Sequence, residues 1–227
     1  MNARTDPSLA TRHSPLVTPP EAPRGCPLCP RLVAYRQENA RREPTWFNDP
    51  APSFGDPQAR LLIAGLAPGR TGANRTGRPF TGDHAGWLLY QTLLETGFAR
   101  GTYDARPDDG LELVDCLITN AVRCAPPGNK PLPVEEATCR PFLTARIAAL
   151  PRLKVIVTLG DVSRRNVLKA LGRPASAMAA GHGSEGVVDG LAILNSYHCS
   201  RLNTNTGRLT PEMFTDVFKR ARALMES

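Results

Sequence analysis

Short apolar runs alternate along this chain with longer segments in which apolar residues recur at helical spacing. The apolar runs predict buried strands at residues 60–66, 113–122, 154–159 and 187–197. A turn at Asp189 and Gly190 breaks the last of these strands. The helically spaced segments predict amphipathic helices at residues 32–42, 84–98, 134–150, 162–171 and 211–225. Because strands that alternate with helices are typical of α/β proteins, we predict an α/β sandwich around a mainly parallel sheet.

The first 23 residues differ from the rest of the chain. They are polar, have no apolar period that could close a core, and contain Pro7, Pro15, Pro19, Pro20 and Pro23. We therefore predict a flexible amino-terminal tail at residues 1–23 and a single domain at residues 24–227. The chain has 227 residues, of which 41% are apolar, and this is enough for one core of ordinary size.

Ligands of parallel α/β sheets bind beyond the carboxyl ends of the strands, so the loops at that edge are candidate binding loops. In this chain they are residues 67–83, 120–131 and 198–208. Lys and Arg total 28 against 21 for Asp and Glu, which gives a formal charge of +7. A basic excess favours a polyanion such as nucleic acid as partner, although a merely soluble basic surface accounts for the charge equally well.

Six cysteines occur in a chain that we expect to be cytoplasmic and free of membrane contact. No run approaches the roughly 18 apolar residues of a membrane span, the start of the chain lacks the apolar core of a secretory signal, and a reducing cytoplasm disfavours disulfides. Cys26 and Cys29 form a C-P-L-C pair, and Cys124 and Cys139 lie much further along. Four thiolates can hold zinc or an iron–sulfur cluster, and the wide second spacing favours the bulkier cluster. Alternatively, Cys124 and Cys139 are small buried hydrophobic residues.

The three loops carry side chains suited to binding and catalysis. The first loop is rich in glycine but matches neither G-x-G-x-x-G nor G-x-x-x-x-G-K-[ST], which argues against a nucleotide triphosphatase. It contains the aromatic ring of Phe80 and the carboxylate of Asp83. The second loop places Asn120 at a strand end, and the third begins at His198 and then exposes Leu202 among polar residues.

Three strings in these loops resemble the uracil-DNA glycosylase superfamily, specifically its iron–sulfur branch, family five. They are GLAPGRTGANRTGRPFTGD, TNAVRCAPPGNKP and SYHCSRLNTNTGRLT, and the resemblance extends over residues 25–225. It implies a three-layer α/β/α sandwich around a mainly parallel four-stranded sheet. It also implies a monofunctional, monomeric DNA glycosylase of base excision repair that acts on double-stranded DNA. The same resemblance implies a [4Fe-4S] cluster, with zinc as the alternative, on Cys26, Cys29, Cys124 and Cys139.

The resemblance assigns catalysis to two residues. The ring of His198 would donate to uracil O2 as negative charge develops on the leaving base, and Asp83 would orient water or stabilise the cationic sugar. The non-catalytic alternatives are a structural histidine at a strand end and an N-cap of the following helix, because aspartate is a favoured capping residue.

The resemblance assigns binding roles in the same way. Asn120 resembles the asparagine that meets O4 and N3–H of uracil, and Phe80 resembles the ring on which the base stacks; a turn asparagine and a core phenylalanine are the alternatives. Leu202 falls where the superfamily inserts an apolar wedge into DNA. For each arginine proposed below as a DNA contact, the alternative is a solvated surface residue. The remaining candidates are Gly65, Ala67 and Gly69 for the substrate, and Arg75, Arg78, Ser200 and Arg208 for DNA.

Three positions depart from the superfamily pattern. Ala67 stands where well-studied members have a catalytic aspartate, and Leu66 stands where family four has a glutamate. Gly69 stands where other members have a tyrosine that blocks the methyl group of thymine, so we predict a wide pocket. The predicted substrates are uracil, 5-substituted uracils, hypoxanthine and etheno-cytosine. Because the first motif lacks its usual carboxylate, a catalytically inert, metal-stabilised nucleic-acid-binding module is the rival interpretation.

Overall fold

The computed structural model of the protein describes residues 18–226. Within them the strands are β1 (Phe54–Gly55), β2 (Leu61–Gly65), β3 (Ala99–Arg100), β4 (Glu112–Leu113), β5 (Cys116–Asn120), β6 (Val155–Leu159), β7 (Ser184–Val188) and β8 (Leu191–Ser196). The α-helices are α1 (Pro30–Arg42), α2 (Ala73–Thr76), α3 (His84–Glu95), α4 (Pro133–Ala148), α5 (Asp161–Ala170), α6 (Arg201–Asn205) and α7 (Pro211–Glu226). No helix in residues 18–226 is long and apolar enough to cross a bilayer.

Six of the strands form one sheet in the order β1-β5-β2-β6-β8-β7. The four inner strands, β5, β2, β6 and β8, run parallel, whereas β1 and β7 pair antiparallel at the two edges. The predicted α/β class with four parallel strands is confirmed. The sheet is mixed, however, and its two antiparallel edge strands make it wider than predicted. Strand β1 has only two residues, which is too short to leave a periodic signal in the sequence.

Helices cover both faces of this sheet, as the three-layer prediction requires. Helices α3 and α7 pack on one face, against a cluster that includes Ile63 and Val157. Helices α4 and α5 pack on the other face, against a cluster that includes Leu62 and Ile156. Because neighbouring residues of a strand point to opposite faces, the inner strands contribute to both cores; β2, β5 and β6 are buried throughout, and β8 is buried over its last four residues. The carboxyl edge of the parallel strands is therefore where the fold leaves room for a ligand.

The strand predicted at residues 113–122 is divided in two by a turn. Strand β4 pairs with β3 in a separate two-stranded sheet, and β5 begins only at Cys116. Asp115 lies at the break with a φ of +52°, and its carboxylate accepts hydrogen bonds from the Arg60 backbone N–H (2.8 Å) and Nε (2.6 Å). The break therefore ties the start of β5 to the start of β2.

Part of the predicted tail contacts the domain. Residues 1–17 lie outside the described residues, but the carbonyl of Pro20 accepts a 3.0 Å hydrogen bond from Arg123 Nη2. The Glu21 carboxylate forms ion pairs with Arg123 and Arg146. Since the Arg123 side chain is only 1% exposed, its charge needs a partner of opposite charge. The prediction that the ordered domain begins at Arg24 is therefore wrong by several residues, because a segment held by charge shows no apolar pattern.

Candidate active site

A cavity of about 440 Å³ opens at the carboxyl edge of the parallel strands. The three loops that the sequence marks as candidates all contribute to it. Its lining includes the predicted site residues Ala67, Gly69, Phe80, Asp83, Asn120, His198 and Ser200. The side chains predicted to bind and to react therefore face one space, which is the arrangement that a common ligand requires.

Asn120 is the last residue of β5 and pairs in register with Gly65, the last residue of β2. Its side chain is 2% exposed, and its Oδ1 has no hydrogen-bond partner within residues 18–226. A methyl group built on Gly65 would lie 2.4 Å from Asn120 Oδ1 and 2.7 Å from Phe80 Cζ. Glycine at position 65 therefore allows the amide and the aromatic ring to approach each other at the strand ends.

The backbone of Phe80 is in the left-handed region, with a φ of +54°. Helix α3 and the chain beyond it hold this conformation, because Tyr103 donates a hydrogen bond to the Phe80 carbonyl (3.1 Å) and Tyr90 donates one to the Pro79 carbonyl (2.6 Å). The ring lies 6.2 Å from the ring of His198, tilted by 33°. Phe80 is 7% exposed and belongs to the core, yet the same ring forms a wall of the cavity. The core and stacking interpretations are therefore compatible.

His198 follows β8 and is anchored through its backbone. Its carbonyl accepts a 2.8 Å hydrogen bond from Asn203 Nδ2, whereas its ring nitrogens have no hydrogen-bond partner among the described residues. Burial lowers the pKa of the imidazole, since the charged form is poorly solvated there. The ring is therefore a neutral group with one N–H available to a ligand.

Asp83 immediately precedes α3 and caps it, because its Oδ1 accepts a hydrogen bond from Gly86 N (3.2 Å). Its Oδ2 lies against two glycines of the first loop: a methyl group would come within 2.3 Å of this oxygen if built on Gly72 and within 3.1 Å if built on Gly69. Burial raises the pKa of this carboxyl, although hydrogen bonds from Gly86 and Ala85 and nearby positive charge oppose the shift. Capping therefore accounts for one carboxylate oxygen and leaves the second at the cavity.

Comparison with known proteins gives this geometry a family. The sequence pattern of the Uracil DNA glycosylase superfamily matches residues 52–222, a range that contains the candidate cavity residues. The chain belongs to the uracil-DNA glycosylase superfamily. It is 46% identical over 206 residues to the Type-5 uracil-DNA glycosylase of Thermus thermophilus, a match that covers 88% of this chain and 93% of the relative. It is 42% identical over 202 residues to the Type-5 enzyme of Pyrobaculum aerophilum, covering 87% and 88% of the two chains.

A Type-4 uracil-DNA glycosylase of Pyrobaculum aerophilum is more distant, at 33% identity over 156 residues and 68% of this chain. The resemblance to family five inferred from the three loop strings is therefore confirmed.

One predicted DNA contact of this superfamily member is wrong. The guanidinium of Arg78 forms a two-pronged ion pair with Asp109 (2.8 and 2.7 Å) and a further hydrogen bond to Thr81 Oγ1 (2.7 Å). The Arg78 side chain is 5% exposed and that of Asp109 is fully covered. The Arg78 guanidinium is therefore enclosed with its acidic partner and does not face a phosphate; it instead stabilises the first loop around Phe80. Its acidic partner lies 31 residues away, so the loop sequence alone gives no sign of the pair.

Of the other predicted DNA contacts, Ser200 lines the cavity, whereas Leu202, Arg208 and Arg75 are outside its lining. Leu202 is 73% exposed on the short helix α6, and Ser200 precedes that helix. Arg208 is exposed and stacks over the Tyr197 ring at 4.4 Å. Arg75 is exposed, and its Nε and Nη2 donate to the carbonyls of Thr71 (2.9 Å) and Gly82 (3.2 Å). Two cavity-lining residues that the sequence prediction omits are Arg70 and Asn129.

The four predicted cluster cysteines surround one small apolar space, on the side of the fold where α1 and α4 begin. Cys26, Cys29, Cys124 and Cys139 all line it. Arg36 Nη1 donates to Cys124 Sγ (3.4 Å), and the Arg123 backbone N–H donates to Cys139 Sγ (3.3 Å). The open volume is only about 10 Å³, so the thiols themselves fill the space. Residues 18–226 contain no group of three His, Cys, Asp or Glu side chains arranged to hold a single metal ion.

Proposed function

We propose that this protein is a monofunctional uracil-DNA glycosylase of base excision repair, which hydrolyses the N-glycosidic bond of uracil in DNA. The observation that carries this proposal is the shared cavity, where an aromatic ring, a buried amide and a neutral imidazole face one another, and where the amide oxygen and the imidazole nitrogens have no partner within residues 18–226. Family membership and the Type-5 relatives support the same activity. No lysine lines the cavity among the described residues, so the amine nucleophile of a strand-cleaving glycosylase is missing from it.

Binding starts with extrusion of the nucleotide, because the bond to be broken is shielded inside a duplex. The extruded base stacks on Phe80. The amide of Asn120 has the donor and acceptor that uracil requires: its NH₂ donates to O4, and Oδ1 accepts from N3–H. Cytosine presents an amine and an unprotonated N3 at the same two positions, so Asn120 selects uracil over the normal base.

Bond cleavage sends the electron pair of the C1′–N1 bond into the base and leaves a cationic sugar. The His198 N–H donates to O2, where the negative charge develops, and a neutral donor suffices because it is fixed in place before the reaction. Water then adds to C1′ with loss of one proton, and the base takes up a proton. Asp83 stabilises the positive sugar. Its carboxylate oxygen that does not cap α3 orients that water by accepting a hydrogen bond from it.

Asp83 predicts a pH dependence with a definite sign. Because burial raises its pKa, the carboxylate that assists catalysis is lost at a higher pH than for an ordinary aspartate. The single-turnover rate of uracil release should therefore fall as the pH drops through this raised pKa, and Asp83→Asn should be slow with no such acidic limb. Rates measured between pH 4 and 8 test this, and an acidic limb that persists in Asp83→Asn would assign it to another group.

Gly65→Ala should lower uracil release by at least about tenfold, because the added methyl group would displace Asn120 or Phe80 by overpacking. Gly186→Ala in β7 is the matched control, since its methyl group would meet only the flexible side chain of Met178 at 3.2 Å. Both rates are measured with thermal unfolding of each variant. Full activity of Gly65→Ala would mean that the close approach at the strand ends is not needed.

The substrate range is proposed to be broader than uracil and to apply to double-stranded DNA. Gly69 offers no side chain to block a 5-substituent on the base, which supports 5-substituted uracils as further substrates, and the size of the cavity supports the bulkier hypoxanthine and etheno-cytosine. Assays of duplexes that contain uracil, hypoxanthine or thymine test this range. Release of uracil alone would restrict the proposal to its narrow form.

We also propose that Cys26, Cys29, Cys124 and Cys139 hold a [4Fe-4S] cluster. The donor set supports it, because four soft thiols from two distant segments line one apolar space and two of the sulfurs accept N–H hydrogen bonds. When bound, the cluster would fasten the start of α1 to α4. Anaerobic purification followed by visible absorbance, iron and zinc analysis distinguishes the cluster from zinc and from an empty cysteine site.

The decisive experiment incubates the purified protein with uracil-containing duplex DNA and then with alkali. A glycosylase leaves abasic sites that alkali cleaves. A binding module without activity would retard the duplex in a gel and leave it intact, and this result would overturn the proposed function.

A further inference from the structure

The segment that follows α1 braces the glycine-rich first loop. The backbone N–H groups of Phe47 and Asn48 donate to the carbonyls of Arg75 (3.0 Å) and Asn74 (2.9 Å). Asn74 Nδ2 also donates to Asn48 Oδ1 (3.0 Å). The loop that contains Phe80 and Asp83 is therefore attached to α1 as well as to the sheet.

The side chain of Arg70, in the first loop, is held by α1 and the segment that follows it. Its Nε donates to Asn39 Oδ1 (2.8 Å), its Nη2 lies 3.6 Å from Glu43 Oε1, and its guanidinium stacks on the Trp46 ring at 4.8 Å. Its Nη1 has no hydrogen-bond partner among the described residues, and its side chain is 34% exposed at the wall of the cavity. The three contacts fix the plane of the guanidinium, and one donor group remains available.

Arg70 differs in its position from the other arginines of the first loop. Arg75 donates through Nε and Nη2 to two carbonyls of its own loop and does not line the cavity, and Arg78 is buried against Asp109. Of these three arginines, Arg70 is the one that lines the cavity.

An extruded nucleotide remains joined to its strand through the phosphates on its 5′ and 3′ sides. Those phosphates must lie at the mouth of the cavity when the base is inside it. A guanidinium already fixed by stacking loses little side-chain freedom on binding an anion, so this is a favourable place for a phosphate contact.

We propose that Arg70 contacts a backbone phosphate next to the extruded nucleotide, and that Asn39 and Trp46 are positioning residues for it. This inference rests on the proposed function and adds to it a DNA contact built from α1 and the chain that follows. Glu43 opposes the contact, because its carboxylate partly neutralises the same guanidinium.

The test measures the affinity for a duplex that contains 2′-fluoro-2′-deoxyuridine, which resists cleavage because fluorine destabilises the cationic sugar. Arg70→Ala should weaken binding about tenfold at low salt and reduce the slope of log K against log salt concentration by about 0.9, the value for one lost phosphate contact. Glu43→Gln should shift affinity in the opposite direction. Arg173→Ala is the control, since its partner Asp189 lies in the turn at the opposite end of the sheet from the cavity.

The positioning residues are tested by separating binding from chemistry. Asn39→Ala and Trp46→Ala should raise KM on uracil-containing duplex and reduce the salt slope, with kcat unchanged, and Trp46→Phe should restore binding because it keeps a ring for stacking. Loss of kcat with no change in the salt slope of Arg70→Ala would place the residue at the base and overturn the inference. Unchanged binding by Arg70→Ala would overturn it as well.

A failure of this inference can be distinguished from a failure of the proposed function. If the wild-type protein releases no uracil but the salt slope still depends on Arg70, the phosphate contact stands and the enzyme proposal fails. If uracil is released and the slope does not depend on Arg70, the enzyme proposal stands and this inference fails.

Discussion

His198→Ala should lower the rate of uracil release by about 10² to 10³-fold, the loss that follows removal of one fixed donor to a developing negative charge. The ring of His198 has no hydrogen-bond partner among the described residues, and its carbonyl, not its ring, makes the structural contact with Asn203. The alanine variant should therefore keep the loop and lose only the N–H that faces the base. Single-turnover rates at saturating enzyme measure the effect on the chemical step.

Two comparisons separate this role of His198 from a structural one. Affinity for the uncleavable 2′-fluoro duplex should change far less than the rate, because the donor acts mainly as charge develops. Added imidazole should restore part of the rate to His198→Ala by filling the vacated space. A variant that loses binding as strongly as rate would indicate that the ring serves to shape the cavity.

Asp109→Ala should lower the free energy of unfolding by about 3 to 5 kcal/mol, because it leaves the buried charge of Arg78 without a partner. Asp109 also accepts hydrogen bonds from the backbone N–H groups of Asp104 (2.9 Å) and Leu111 (3.1 Å). Denaturant unfolding measures the loss. Glu112→Ala is the control: its pair with Arg100 is exposed on both sides, so its removal should cost below about 1 kcal/mol.

The same carboxylate gives stability a pH dependence. Burial alone would raise the pKa of Asp109, but the hydrogen bonds from Arg78 and the two backbone N–H groups outweigh it, and the pKa lies well below its usual range. A depressed pKa adds stability that is present above the unfolded value, about 3.9, and is lost as the pH falls toward the folded value. Wild-type protein should lose this contribution below about pH 4, whereas Asp109→Ala should lack it at every pH. Equal acid sensitivity of the two proteins would contradict the assignment.

The inner strands and long helices could be predicted because each one corresponds to a pattern of apolar and polar residues within its own segment of the sequence. The run 154–159 is apolar throughout and forms β6, and the acidic residues Glu135 and Glu136 mark the start of α4. Edge strand β1 could not be predicted, because two residues carry no period. Asp115 interrupts an apolar run through a contact with Arg60, a residue distant in sequence.

The candidate site shows the same division between local and distant information. Asn120 ends β5, His198 follows β8 and Phe80 lies in the loop after β2, so the fold class already brings them to one edge. Arg75 and Arg78 are three positions apart in one loop, and sequence alone treats them alike. Their environments differ because Asp109 buries one of them, and Arg70 acquires its fixed geometry from Asn39 and Trp46 on another segment. The sequence pattern does not show which residues contact each other when they are far apart along the chain.

The unpaired oxygen of Asn120 has a consequence for how this protein can be engineered. A buried acceptor without a donor destabilises the free protein by about 1 to 3 kcal/mol, and a base that supplies the donor removes this penalty. Substitutions that replace the amide by an apolar side chain are therefore expected to raise heat resistance while they abolish base recognition. A screen that rewards thermal tolerance alone would select such variants, so any stabilisation of this fold needs a parallel selection for turnover.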